Sequence, residues 1–290
     1  MLAIGMAAPA AAKAPHHLSL AQRLADPRPL VVAHRGCWRM PAENSLAGML
    51  YCIDHGADML EVDLRETADG ELVVMHDATL DRTTNLKGLL RNTPAADVLA
   101  ARLREGMGGP DAPLTDQHVP SFEQVLKAAK GRTLLFLDIK EPVHAEAAAL
   151  VRRYGMEDSV LWSMNGTYGP ALYAALGIPP AATMPKFDEH DHGQCRGAAD
   201  AAADKARYVG VKADIYEAVF CSDAYLAQVR SVSGKAGIWV NALGPTFMAG
   251  REEGDALTVP DKVWGELLDA GVTAIQTNFP EELKAYLRCR

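Results

Sequence analysis

The chain has 290 residues, 49% of them hydrophobic and 23% charged, and 29 Lys+Arg set against 37 Asp+Glu leave a formal net charge of −8. An acidic balance with no long Lys/Arg run excludes a surface built to neutralise a polyphosphate backbone, so nucleic acid is not an expected partner. No apolar stretch reaches the ~18 residues of a bilayer-spanning helix, so no integral membrane segment is expected.

The chain opens on a small, apolar, Ala/Pro-rich stretch ending in Ala-x-Ala-like triplets such as Ala10-Ala11-Ala12. Two readings stay open for it: a signal-peptide remnant, implying a periplasmic or secreted protein, or a plain leader on a cytoplasmic one. Residues 1–28 are set aside as this leader, and residues 29–290 are read as a single domain. The five cysteines (Cys37, Cys52, Cys195, Cys221, Cys289) are odd in number, scattered and without a C-x-x-C pair. They give grounds for neither a disulfide framework nor a zinc site, and Cys37 is read as a small buried thiol.

From Leu30 onward, short runs rich in Val, Ile and Leu alternate with helical patterns, the signature of an α/β protein with parallel strands. Strands are predicted at Leu30–His34, Met59–Arg65, Leu72–His76, Thr133–Lys140, Ser159–Met164, Ala181–Pro185, Tyr208–Lys212, Gly237–Asn241 and Val272–Thr277. Helices are predicted near Leu46–His55, from Ser121 to Lys130, from Pro142 to Gly155, and near Tyr168–Leu176, Ala198–Lys205, Asp223–Val232, Asp261–Ala270 and Pro280–Leu287. Ser121-x-x-Gln124 is a capping box.

Only Glu66-Thr-Ala-Asp-Gly70 joins Met59–Arg65 to Leu72–His76, too little for a parallel crossover, so these two form a hairpin. With Asp69-Gly70 as its two-residue turn, the numbers of paired residues have one fixed sum, that of Ala68 with Glu71, which sets Asp63 directly opposite His76. Removing the hairpin arm leaves eight strands, the count of a closed barrel. The expected fold is therefore an α/β, TIM-type (β/α)8 barrel with a β-hairpin insertion after the second barrel strand.

The C-terminal ends of the first three barrel strands carry polar residues where buried strands should stay apolar: His34-Arg35, then Glu61 and Asp63, then Asp138 and Lys140. Those ends share the face on which such barrels build active sites. Three carboxylates at one mouth call for a cation, and oxygen-only donors favour Mg²⁺ or Ca²⁺. Arg35 and Lys140 then call for an anion, for which phosphate is suited. His34 and His76 complete a pair for general acid and base catalysis. The run Phe187-Asp-Glu-His-Asp-His192 is read as a solvated loop in preference to a substrate lid or second ion site.

The segments His34-Arg35-Gly36, Pro41-Ala42-Glu43-Asn44-Ser45, Glu61-Val62-Asp63 and His76-Asp77 resemble the motifs of the glycerophosphodiester phosphodiesterase family. The likeness continues through Asp81–Thr84 and Val119–Glu123, and more weakly to Gly271–Pro280. It implies a TIM barrel with a divalent ion that hydrolyses a small phosphodiester to an alcohol and a phosphomonoester such as sn-glycerol 3-phosphate. By the same resemblance, His34 and His76 are the acid/base pair, and Glu61, Asp63 and Asp138 hold Mg²⁺ or Ca²⁺. Arg35, Lys140 and Glu43 sit at the phosphate or substrate, and Trp239 is either core packing or a platform for the substrate alcohol. The sequence departs from the family pattern at Asp138, where Glu is usual, at Ser45 for Thr, and at Asn278 for Asp. Competing readings are a phosphodiesterase or phospholipase-D-like lyase on the same barrel, acting on a lipid headgroup or another organophosphate, and a catalytically weak barrel that binds phosphodiesters. Oligomeric state is left open.

Overall fold

A computed structural model describes residues 19–290 apart from Gly166 and Ala198. Eight parallel strands close into a barrel: β1 Leu30–Ala33, β2 Met59–Glu66, β3 Leu134–Ile139, β4 Val160–Met164, β5 Thr183–Asp188, β6 Ile215–Val219, β7 Gly237–Ala242 and β8 Ala274–Thr277. Each pairs with the next, and β1 pairs with both β2 and β8, so no edge strand is left open. This is the predicted TIM barrel. β1 and β8 are buried at every position, as expected of strands covered on both faces.

Local chemistry fixes the helix ends. Ser45 Oγ accepts from the Gly48 N–H to start Leu46–Asp54, and Ser121 with Gln124 forms the predicted capping box ahead of Phe122–Ala129. Gly155, at φ 60°, ends His144–Tyr154 in the left-handed conformation.

Five expectations need correction. The hairpin arm Leu72–Val74 does pair antiparallel with β2, but Leu64 faces Val74 and Glu66 faces Leu72, one residue away from the predicted register. Thr67 N–H donates to Glu71 O, leaving the three-residue loop Ala68-Asp69-Gly70 with Gly70 at φ 88°, where a two-residue turn was predicted. The Met75 N–H therefore donates to Asp63 O, and His76 lies beyond the paired arm.

The insertion is also larger than a hairpin. Residues 67–120 add the helix Ala95–Ala100 and a two-stranded sheet, Arg102–Arg104 with Leu114–His118, over a small core of their own that includes Val73, Leu80, Leu90, Val98 and Leu103. The sixth strand is Ile215–Val219; Tyr208–Lys212 is a turn, with Gly210 at φ 83°.

The domain begins before residue 29, because the helix Leu20–Leu24 packs Leu20 into the core and Arg23 binds Asp58 at 3.1 Å. The leader reading for residues 1–18 lies outside the described residues. Finally, Cys37 is no free thiol: Cys37 pairs with Cys52 and Cys195 with Cys221, leaving Cys289 free and exposed.

Candidate active site

A cavity of about 380 Å³ opens at the C-terminal ends of the strands, lined by His34, Arg35, Glu61, Asp63, His76, Asp138 and Lys140 among others. The barrel register explains the gathering. Asp63 on β2 stands beside Asp138 on β3, and Glu61 lies two residues back on the same face of β2. Carboxylate oxygens of Glu61, Asp63 and Asp138 come within 4.8 Å of one another.

Their electrostatics are those of a cation site. Burial, with the Asp63 and Asp138 carboxylates close by, pushes Glu61 well above the usual carboxylate range. Burial works against charge on Asp63 too, but Lys140 and Arg35 outweigh it and hold Asp63 below that range. Lys140 Nζ reaches Asp138 at 2.6 Å and Asp63 at 3.0 Å. Three oxygen donors, two of them buried and one of these, Glu61, driven toward its protonated form by burial and by the other two, fit a hard divalent cation. Glu61, Asp63 and Asp138 would hold such an ion, with Lys140 beside them at the same mouth.

His34 is almost wholly buried, and its Nδ1 lies 2.8 Å from Asn278 Oδ1. The tautomer follows from the neighbours. Trp38 Nε1–H, which can only donate, also meets Asn278 Oδ1 at 2.8 Å, while Asn278 Nδ2 donates to Glu253 Oε2 at 2.8 Å. Asn278 Oδ1 is thus the accepting end, so His34 Nδ1 carries the hydrogen and Nε2 is left for the cavity. Burial, aided by the Arg35 charge, lowers His34 to about 4, which keeps the ring neutral near pH 7.

His76 sits at the rim, its side chain 36% exposed, with Nδ1 donating to Asp77 Oδ1 at 2.8 Å. Asp77 accepts two hydrogen bonds from Arg82, whose other face grips Glu43, which in turn holds Arg35 at 3.1 Å. A relay His76–Asp77–Arg82–Glu43–Arg35 therefore ties the insertion to the barrel mouth. Arg35 (φ 50°) and Gly36 (φ 68°) both take left-handed conformations that turn the chain back, and the Arg35 N–H donates to Glu61 at 2.6 Å.

Two predicted site residues do not face the cavity. Glu43 is spent on Arg35 and Arg82 and positions them. Trp239 is fully buried, its ring 4.8 Å from Phe136 and its Nε1–H donating to Asn241, so it is core and not a substrate platform. The run after Phe187 is not a plain solvated loop either: Phe187 and Asp188 belong to β5, Glu189 is buried, and His190–Asp191 pairs with Gln194–Cys195.

Several site residues went unread in the sequence. Lys186 and Glu217 line the cavity and pair at 3.5 Å, and Asn241 donates to Glu217 at 2.9 Å. A single Glu inside the apolar run Ile215–Phe220 is the same signal that marks Asp138, and could have found Glu217.

Glu253, buried beneath Asn278, also accepts from Thr277 Oγ1 and from the Asn278 N–H at 3.0 Å. Burial raises its pKa from 4.5 to about 7. The unfolded chain then loses this proton near pH 4.5 and the folded chain near 7, so stability falls as pH rises across that window, by up to roughly 3 kcal/mol. In Glu253→Gln, thermal melts at pH 5 and pH 8 should differ less than in wild type; an undiminished difference would contradict the assignment.

The structure therefore defines a class: an eight-stranded α/β barrel whose mouth gathers three carboxylates that could hold a cation, two imidazoles and the basic side chains of Arg35 and Lys140. The profile of the glycerophosphoryl diester phosphodiesterase family matches residues 34–165, which hold every one of the cation-site and imidazole residues, and a domain of unknown function matches residues 184–287. Over residues 34–165 the chain is thus similar to the glycerophosphoryl diester phosphodiesterase family.

A glycerophosphodiester phosphodiesterase of Caldanaerobacter subterraneus is 28% identical over 148 residues, 48% of this chain and 59% of that protein. Among solved structures, the Agrobacterium tumefaciens glycerophosphodiester phosphodiesterase superposes with a TM-score of 0.65 at 26% identity, over 89% of this chain and 99% of that one. An Oleispira antarctica phosphodiesterase, solved with its product sn-glycerol-3-phosphate, shares the fold (TM-score 0.63, 16% identity, 90% of this chain and 97% of that one). The chain spans about six-tenths of the length of the first curated relatives it matches, between 59% and 62%.

Proposed function

We propose that this protein hydrolyses glycerophosphodiesters to an alcohol and sn-glycerol 3-phosphate, with His34 as base and His76 as acid. The observation that carries this is the contrast between the two imidazoles of one cavity. His34 is buried, neutral and oriented by an amide; His76 is accessible and backed by a carboxylate that can balance an imidazolium.

In this reading His34 Nε2 takes the proton of the attacking hydroxyl, which forms the new P–O bond. His76 delivers a proton to the alkoxide that leaves as the old P–O bond breaks. Glu61, Asp63 and Asp138 would hold Mg²⁺ or Ca²⁺, which supplies Lewis-acid neutralisation of the phosphoryl oxygens. Arg35 adds a fixed donor: it lines the cavity, and its buried Nε lacks a hydrogen-bond partner that a phosphoryl oxygen would provide. On the far wall, the Lys186–Glu217–Asn241 group offers donors and acceptors to hydroxyls of a glycerol moiety.

Release of glycerol 3-phosphate from a panel of glycerophosphodiesters in Mg²⁺ or Ca²⁺ is the expected result. Absence of release from every member would overturn the reading, and tight metal binding without turnover would favour a phosphodiester-binding barrel.

The two disulfides among the described residues support an oxidising compartment, periplasmic or secreted, for this protein. Protein purified from such a compartment should show about one reactive thiol per chain, that of Cys289, and five after reduction. Five thiols without reduction would place it in a reducing compartment.

A further inference from the structure

Just past the ends of β5 and β6 lies a group of residues that the phosphodiester chemistry does not use. His190 and Cys195 stand directly opposite each other in the short antiparallel pair, and Cys221 meets them from the end of β6. His190 Nε2 comes within 3.3 Å of Cys221 Sγ, and one ligand atom from each of the three residues lies within 4.8 Å of the others.

A disulfide staple alone has no need of an imidazole. This one is placed with care: Asp188 Oδ1 lies 2.9 Å from His190 Nδ1 and accepts from the His190 N–H at 3.0 Å, which holds the ring with Nε2 turned to the sulfurs. A carboxylate on one ring nitrogen with the other aimed at cysteine sulfurs is the outer and inner arrangement of a histidine metal ligand.

Cys221 does not depend on the disulfide for its position. Glu189, itself buried, accepts from the Cys221 N–H at 2.6 Å, the Ser222 N–H at 2.8 Å and Ser222 Oγ at 2.8 Å. Cys195, by contrast, lies on the exposed arm of the hairpin and has room to move. Two thiolates at about 2.3 Å from a tetrahedral zinc stand roughly 3.8 Å apart, so side-chain rotation at Cys195 opens enough space for the ion.

We propose that His190, Cys195 and Cys221 form a zinc site that is filled when the Cys195–Cys221 disulfide is reduced. A phosphine or dithiol reductant gives two electrons to the S–S bond, and two protons complete the thiols. Zn²⁺ then binds both sulfurs and His190 Nε2 and displaces the two thiol protons, leaving a fourth position for water. Thiolate and imidazole donors select zinc, whereas the all-oxygen cluster at the barrel mouth selects Mg²⁺ or Ca²⁺. In either state the hairpin stays tied to β6, next to the strand positions of Lys186 and Glu217.

Cobalt(II) titration of the phosphine-reduced full chain tests this, since a thiolate-to-cobalt charge-transfer band reports sulfur ligation and the oxygen-only site gives none. One equivalent should develop the band in reduced protein and none in oxidised protein, and Zn²⁺ should displace it. The band should vanish in Cys195→Ser and in Cys221→Ser, persist in Cys289→Ser, and need about 10–100-fold more cobalt in Asp188→Asn. No band in reduced, folded wild-type protein, judged by circular dichroism, would overturn the proposal, as would a band that survives both Cys195→Ser and Cys221→Ser.

Discussion

His34→Ala should lower turnover of a glycerophosphodiester by roughly 10²–10⁴-fold while metal binding is retained, and His76→Ala should do the same. The two variants separate on a substrate with a p-nitrophenolate leaving group, which departs without a proton. His76→Ala should recover most of its loss there, and His34→Ala should not. The reverse pattern would exchange the two roles, and recovery in both variants would remove the base. The pH profile gives an independent reading. A base with its pKa at about 4 works when neutral, so kcat/KM should hold steady down to pH 5 and fall as pH drops through about 4. That limb should be missing from the residual activity of His34→Ala.

Removing the divalent ion should silence the protein. Asp63 is fully buried between Lys140, Arg35 and Asn44. Asp63→Asn keeps the shape and the Asn44 contact region while deleting one charge from the cluster. It should weaken Mg²⁺ or Ca²⁺ binding and cut turnover by at least roughly 10³-fold, the several kcal/mol that a Lewis acid supplies to a charged transition state. Chelation of the wild type should have the same effect, reversed by either ion. Full turnover in excess chelator, or in metal-free Asp63→Asn, would rule out the metal's role.

Much of this site was legible because barrel topology turns strand ends into a single face. His34, Glu61, Asp63 and Asp138 are polar residues that interrupt apolar strands, and each sits at a C-terminal end, so the eight-strand count alone sent them to one mouth. What stayed hidden depended on contacts between distant segments. Asn278 orients His34 across 244 positions of sequence, and Glu253 supports Asn278 from the start of a separate 3-10 helix, Glu253–Leu257. Neither role shows in a linear pattern.

The hairpin register slipped by one because Gly70 serves the third position of a three-residue loop, which Asp69-Gly70 disguises as a two-residue turn. The sixth strand went to Tyr208–Lys212 because two valines flank Gly210. Packing instead selects Ile215–Val219, all five residues of which are buried. Cysteine pairing was illegible for the same reason as Asn278: Cys195 meets Cys221 only after β5, its hairpin and β6 have folded together.

Cleavage of a diester P–O bond in this cavity by metal-assisted acid/base chemistry is open to a direct test. Phosphorus NMR of a glycerophosphodiester incubated with the protein and Mg²⁺ or Ca²⁺ in ¹⁸O-labelled water tests it most directly. The expected product is glycerol 3-phosphate carrying one ¹⁸O on phosphorus, formed with the metal and absent in chelator. A cyclic phosphate that accumulates as the final product, or a monoester without label, would contradict it.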